Sequence, residues 1–150
     1  MTNDQIEALH GYYLEDLEPG MQACYAKTVT EADVILFAGV TGDDNPVHIN
    51  AEYAETTMFE QRIVHGMFSA GLISAVLGTR MPGPGAIYID QQLSFKAPVH
   101  IGDTVVATAT VLEVDEKRRR VKLETVCRVK DKVVAEGVAT NMVDRRPVAK

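Results

Sequence analysis

From Gly66 to Gly78 the chain reads Gly-Met-Phe-Ser-Ala-Gly-Leu-Ile-Ser-Ala-Val-Leu-Gly, with no charged side chain. A helix at a protein surface keeps polar residues on one side, whereas one that is apolar all round has to be hidden. The segment therefore predicts a helix buried on nearly every side. Thr79-Arg80-Met81-Pro82-Gly83-Pro84-Gly85 ends it, because prolines cannot continue the hydrogen-bond ladder and glycines allow a reversal. Everything after Gly85 has strand composition. Ala86 to Val99, Asp103 to Asp115, Val121 to Lys130 and Val133 to Val143 are rich in Val, Thr, Ile and Leu. In the third of these, Val121, Leu123, Thr125, Cys127 and Val129 alternate with Lys122, Glu124, Arg128 and Lys130, so one face is core and the other is wet. The tight connections Glu116 to Arg120 and Asp131-Lys132 argue for antiparallel hairpins. One helix that must be covered and a long antiparallel sheet have a joint solution: an α+β domain in which the sheet curls around the helix.

The first half supplies shorter elements. After the turn pair Pro19-Gly20, Met21 to Val29 reads as a strand. Thr30 then caps a helix with Asp33 in its first turn and with Ala32, Ile35, Leu36 and Gly39 at helical spacing. Asn50 caps a short helix from Ala51 to about Glu55, and Thr56 to Ile63 is an irregular loop. No repeat, linker or low-complexity segment interrupts the 150 residues, so residues 1–150 read as a single domain whose first ten residues are the likeliest to fray.

Composition closes several alternatives. A net charge of −6 argues against a nucleic-acid partner, since phosphate contacts need a basic face and only Lys117-Arg118-Arg119-Arg120 forms a cationic run. That run reads as a solvated hairpin tip, or as a contact for coenzyme phosphates. Cys24 and Cys127 lie in separate strand-like segments without metal-ligand spacing, so both are expected to be buried, reduced thiols and no metal site is implied. The N-terminus lacks the basic start and apolar core of a secretory signal, and the longest uncharged run is too short to span a bilayer. A soluble cytoplasmic protein with no membrane partner is expected.

The chemistry is concentrated in Thr41-Gly42-Asp43-Asp44-Asn45-Pro46-Val47-His48. A carboxylate and an imidazole five positions apart across a turn can converge on one water molecule, the pairing that acid–base chemistry near neutral pH requires. An Asp after a Gly also makes simple side-chain turns, and a lone His is more often structural. It is the combination of Asp43 with His48 that points to catalysis. Asn45 and Pro46 are support, the amide holding the turn and the ring fixing φ. Asp44 reads as a solvated turn residue, and His10 and His100 as surface residues.

Phe37, Val40-Thr41-Gly42-Asp43, Asn45-Pro46-Val47-His48 and Ala54 together resemble the signature of the MaoC-like (R)-specific enoyl-CoA hydratases of the hotdog fold. His65-Gly66-Met67 and the stretch Leu93-Ser94-Phe95-Lys96-Ala97-Pro98-Val99, followed by Gly102-Asp103, extend the likeness over roughly residues 12 to 143. The resemblance implies a curved antiparallel sheet wrapped around the central helix, and two protomers that pair their sheets edge to edge in a homodimer or a multiple of it. It implies an acyl-CoA thioester as substrate, coenzyme A being part of that substrate, with no metal or redox cofactor. Asp43 and His48 are then the catalytic pair. The N–H of Gly66, at the positive end of the helix dipole, suits the developing enolate oxygen of a thioester, although a glycine there also serves plain packing. Ser74 stands where some family members have a serine facing the site, but a serine on a hidden helix also bonds back to its own backbone. His65 shapes the loop.

Hydration of a short trans-2-enoyl-CoA, or the reverse dehydration of the (R)-3-hydroxyacyl-CoA, follows as the expected reaction. A hotdog thioesterase usually places an Asp or Glu on the central helix, and Gly66 to Gly78 has neither. A non-catalytic acyl-CoA binding protein would not need Asp43 and His48. A hydratase acting on a carrier-protein or branched dicarboxylic thioester stays open.

Overall fold

A computed structural model of the chain describes residues 1–147. Strands β1 (Gln22–Thr28), β2 (Ile87–Phe95), β3 (Thr104–Asp115), β4 (Arg120–Val129) and β5 (Lys132–Met142) form one antiparallel sheet in the order β1-β3-β4-β5-β2. The β3–β4 and β4–β5 connections are hairpins, as their lengths require. Their turns carry positive φ at Arg119 and Lys130 without a glycine. Along β4, Val121, Leu123, Thr125 and Cys127 are buried while Lys122, Glu124 and Arg128 face outward, as the alternation predicts.

Among the described residues five α-helices accompany the sheet, α1 (Asn3–Glu7), α2 (Glu31–Thr41), α3 (Pro46–Ile49), α4 (Ala51–Glu55) and α5 (Gly66–Thr79), with a short 3-10 turn at Leu14–Asp16. Helix α5 lies across the sheet and touches all five strands. Its Leu72, Ile73, Val76 and Leu77 share one core with Val105, Ala107 and Ala109 of β3, Leu123 and Cys127 of β4, and Ala135 and Ala139 of β5. Alanines on the sheet side let the helix backbone come close, and the Cys127 thiol donates to the Ser69 carbonyl at 3.5 Å. Each of those large side chains contributes roughly 1.5–3 kcal/mol by leaving water.

The structure departs from the sequence reading at several places, among them the half-burial of His10 and His100, expected at the surface, and a short capped helix within the first ten residues. Helix α5 is buried along one side only, since a stripe of Met67, Gly71, Ser74 and Gly78 is exposed, Met67 at 60%. One sheet covers one face, and on the other Phe37 and Thr41 of α2 stand across an open cleft from Met67, Gly71 and Ser74. Helix α2 buries Val34 and Ala38, while Ile35 and Leu36 face solvent. Its sequence is apolar on both sides, so periodicity alone does not choose a face. Cys127 is buried, but Cys24 is exposed because it sits on the outward side of edge strand β1.

The caps follow the sequence. The Thr30 hydroxyl accepts from the Asp33 N–H at 3.2 Å, and the Asp33 carboxylate accepts from the Thr30 N–H at 2.8 Å. Asn50 accepts from the Tyr53 N–H at 3.0 Å to start α4. Residues 3–7 form a short helix with a capping box between Thr2 and Gln5. Just beyond it His10 stacks on Tyr13 at 4.1 Å and the Gly11 N–H donates to the Pro84 carbonyl at 2.8 Å. His10 and His100 are half-buried. Among the described residues no helix is long and apolar enough to cross a membrane.

Candidate active site

Helix α2 ends at Gly42, whose φ of 79° lies in the left-handed region that a side chain disfavours. This cap turns the chain sharply and delivers Asp43 immediately past the helix end. The Thr41 hydroxyl donates back to the Phe37 carbonyl at 2.7 Å and accepts from the Asp43 N–H at 3.2 Å, which fixes the start of the loop. Asn45 then caps α3: its side-chain oxygen accepts from the Val47 N–H at 3.2 Å, and Pro46 occupies the first turn, where a missing N–H costs nothing. Asn45 and Pro46 thus support the turn in the way their types suggest, and the turn they make is a short helix that carries His48.

Three contacts lock α3 to the loop before α5. The His48 Nδ1 lies 2.8 Å from the Ile63 carbonyl, the Ile63 N–H donates to the Val47 carbonyl at 3.2 Å, and Arg62 Nε donates to the His48 carbonyl at 2.6 Å. Arg62 also pairs with Glu31 at 2.8 Å, tying this loop to the start of α2. A carbonyl oxygen only accepts, so His48 Nδ1 carries the proton and the neutral ring presents its Nε2 lone pair. His48 is 8% exposed.

One carboxylate oxygen of Asp43 and one ring nitrogen each of His48 and His65 lie within 4.8 Å of one another. Two acceptors held by one water, each at an ordinary hydrogen-bond length, stand about 4.5–5 Å apart, and groups within 4.8 Å of each other are inside the reach of one bridging water. The imidazoles of His48 and His65 are stacked, with centroids 3.9 Å apart and planes inclined by 31°.

Gly66 is the first residue of α5, so its N–H has no partner within the helix. The Phe95 ring packs so closely that a Cβ on Gly66 would lie 2.9 Å from the Phe95 Cε1, so a side chain there would have to push the ring aside. Packing and an open N–H are served by the same glycine. Asp43, His48 and Gly66 line a largely apolar cleft of about 490 Å³, together with Phe59, Ile63 and Pro98. Asp43 also lines a second cleft of about 730 Å³ with Ser74, Tyr88 and Gln91, and Met67 and Phe95 stand between the two. The structure therefore brings Asp43, His48 and Gly66 together and sets Ser74 on the adjoining wall, exposed. Asp44 lines neither cleft.

Sequence reasoning missed Arg62, gave His65 only a loop-shaping part, and met Phe95 only as one residue of the family-like stretch Leu93 to Val99, with no place in the site.

A carboxylate, an imidazole and a helix-terminal N–H around an apolar cleft are groups that acid–base chemistry on a substrate with a developing oxyanion could use. The family model of the MaoC like domain matches residues 17–135, and the chain belongs to that family. It is 57% identical over 135 residues to the (R)-specific enoyl-CoA hydratase of Rhodospirillum rubrum, covering 90% of this chain and 94% of that one. It is 49% identical over 144 residues to the 3-hydroxybutyryl-CoA dehydratase of Methylorubrum extorquens, covering 96% and 92%. Among solved structures, the unliganded R-hydratase PhaJ1 from Pseudomonas aeruginosa superposes with a TM-score of 0.85 at 41% identity over 93% of each chain. The fold is the hotdog arrangement, an antiparallel sheet around a central helix.

Proposed function

We propose that this protein is an (R)-specific 2-enoyl-CoA hydratase, acting on short substrates of the crotonyl-CoA and 3-hydroxybutyryl-CoA type. The observation that carries the reading is the Asp43–His48 pair within 4.8 Å beside the open N–H of Gly66, in a chain 57% identical to a named hydratase. An ionised carboxylate and a neutral His48 Nε2 both offer lone pairs, so together they hold both hydrogens of one water and leave its oxygen facing the substrate. The oxygen attacks the β-carbon and the π electrons move toward the thioester carbonyl. Gly66 N–H stabilises the enolate oxygen. The proton that the water loses is received by the pair and returned to the α-carbon on the same face, which gives syn addition with all atoms accounted for. No step calls for a metal or redox cofactor.

The central helix has no carboxylate with which to attack a carbonyl, which speaks for hydration over thioester hydrolysis. The test is one assay: the protein is incubated with crotonyl-CoA, the product is coupled to a dehydrogenase specific for the (R) or the (S) alcohol, and a thiol reagent follows coenzyme release. The (R) product without free thiol is expected. Rapid thiol release without a 3-hydroxyacyl product, or an (S) product, refutes the reading.

The same proposal includes a homodimer. Strand β2 is a sheet edge with exposed Ile87, Ile89 and Phe95, and it adjoins the uncovered stripe of α5. Light scattering at micromolar concentration is expected to give twice the 16.4 kDa chain mass or a multiple of that. A fully active monomer refutes it.

A further inference from the structure

The hydration scheme leaves unused the most buried polar group of the site, the His65 side chain, which is 1% exposed. Its ring stacks on His48 at 3.9 Å on one side and meets Phe37 at 4.8 Å. Its Nε2 lies 2.8 Å from the backbone oxygen of Asp43, so Nε2 carries the proton. A neutral ring then leaves Nδ1 with a lone pair, and that atom is buried without any hydrogen-bond partner. Phenylalanine would fill this space and stack equally well without burying an unpaired nitrogen. What histidine adds is the Nε2–H bond to Asp43.

That bond joins two segments. Asp43 follows a left-handed cap in a stretch without regular structure, and its own N–H is held only locally by Thr41. The Nε2–H of His65 reaches across 22 residues to hold the Asp43 peptide, while the His65 peptide leads directly into Gly66. We propose that His65 is a positioning residue: it fixes the Asp43 carboxylate against His48 and sets both relative to the Gly66 N–H. The inference rests on the reading of Asp43 and His48 as the acid–base pair.

Two substitutions separate the parts of this role. His65→Phe keeps the stack and removes the donor. His65→Gln keeps an N–H near the position of Nε2 and removes the stack. A misplacement of about 1 Å at a reacting group costs on the order of 10²-fold. The Phe variant is therefore expected to lose roughly 10- to 100-fold in kcat for crotonyl-CoA with KM little changed and thermal stability equal or higher, and the Gln variant to recover most of the loss. A folded Phe variant at the wild-type kcat, a loss confined to KM, or a Gln variant no better than Phe overturns the proposal. If neither variant folds, long-range ¹H–¹⁵N correlation of the wild-type imidazoles decides. The neutral His65 ring is expected as the Nε2–H tautomer and His48 as Nδ1–H, and an Nδ1–H tautomer at His65 overturns it. This readout needs no substrate, so absence of hydratase activity in the wild type would count against the proposed reaction while the tautomer still judges the His65 contact.

Discussion

Placing a methyl group on Gly66 separates the fold's demands from the site's. The added carbon would lie 2.9 Å from Cε1, 3.0 Å from Cδ1 and 3.1 Å from Cζ of the Phe95 ring. Carbon atoms in contact sit about 3.5–4.0 Å apart, so the ring must withdraw by at least about 0.6 Å. Phe95 is 52% exposed and has room to swing, and Ala gains up to about 1 kcal/mol over Gly in a helix. Folding stability should therefore change little, with Tm moving by no more than a few degrees. Activity should not be spared, because Phe95 separates the two clefts that meet at Asp43, and Gly66 carries the proposed oxyanion donor. Full loss of such a donor costs about 10²–10³-fold. A displaced donor with a shifted wall should cost on the order of 10-fold to 10²-fold in kcat/KM, read from the loss of the enoyl absorbance of crotonyl-CoA. In a Phe95→Ala background the methyl has nothing to strike, so the same substitution should cost much less there. Wild-type kcat/KM in Gly66→Ala, or an equal factor in both backgrounds, would refute the reasoning.

Asp43→Asn and His48→Gln should each lower crotonyl-CoA hydration by about 10²–10⁴-fold in a folded protein, whereas Asp44→Asn, which lines neither cleft, should leave it near normal. A strong loss from Asp44→Asn alone would mean that the wrong carboxylate had been chosen. Ser74→Ala should cost less than about tenfold, because the hydroxyl stands on the adjoining wall, outside the cleft that holds His48 and Gly66. In the native protein a thiol reagent should titrate exposed Cys24 quickly and Cys127 only after unfolding, and two fast thiols would contradict the packing of β4. Burial pushes the Cys127 thiol from 9.0 up to about 12. Above the lower value the unfolded chain releases a proton that the native chain keeps, so this contribution is complete below about pH 9 and is lost as pH rises toward 12. Tm should fall across that window, less steeply in Cys127→Ala, and parallel profiles of the two proteins would refute the assignment. Tyr88, raised from 10.0 to about 12 by burial and by the nearby Asp90, adds a similar fall to both.

The parts of the fold that were legible in the sequence are those fixed locally. Thr30 with Asp33, Asn50, and the Pro-Gly run after Thr79 set element ends through bonds that span a few residues, and the alternation in β4 needs only a period of two. The Asp43–His48 pair was legible for the same reason, since Gly42, Asn45 and Pro46 lie within the motif and build the turn that joins them. Arg62, His65 and Phe95 were not, because each acts through a contact made by tertiary structure: Arg62 on Glu31 and the His48 carbonyl, His65 on the Asp43 carbonyl, and Phe95 against Gly66. Residue type alone does not reveal such partners.

Helix α2 and helix α5 show a different limit. In both, the sequence shows apolar surface on more than one side, but not which side the fold covers. Ile35 and Leu36 on α2, and Met67, Gly71, Ser74 and Gly78 on α5, remain open because a single five-stranded sheet covers only one side of what it wraps. On α5 the open stripe contains no charge, borders the second cleft, and lies beside an edge strand with free backbone groups. A stripe that borders the site on a wall without charge suits closure by a second copy of the chain, which would also shield the proposed enolate from bulk water. On that arrangement, the burial that the α5 sequence calls for and the shelter from bulk water that the proposed chemistry favours are met by the same contact.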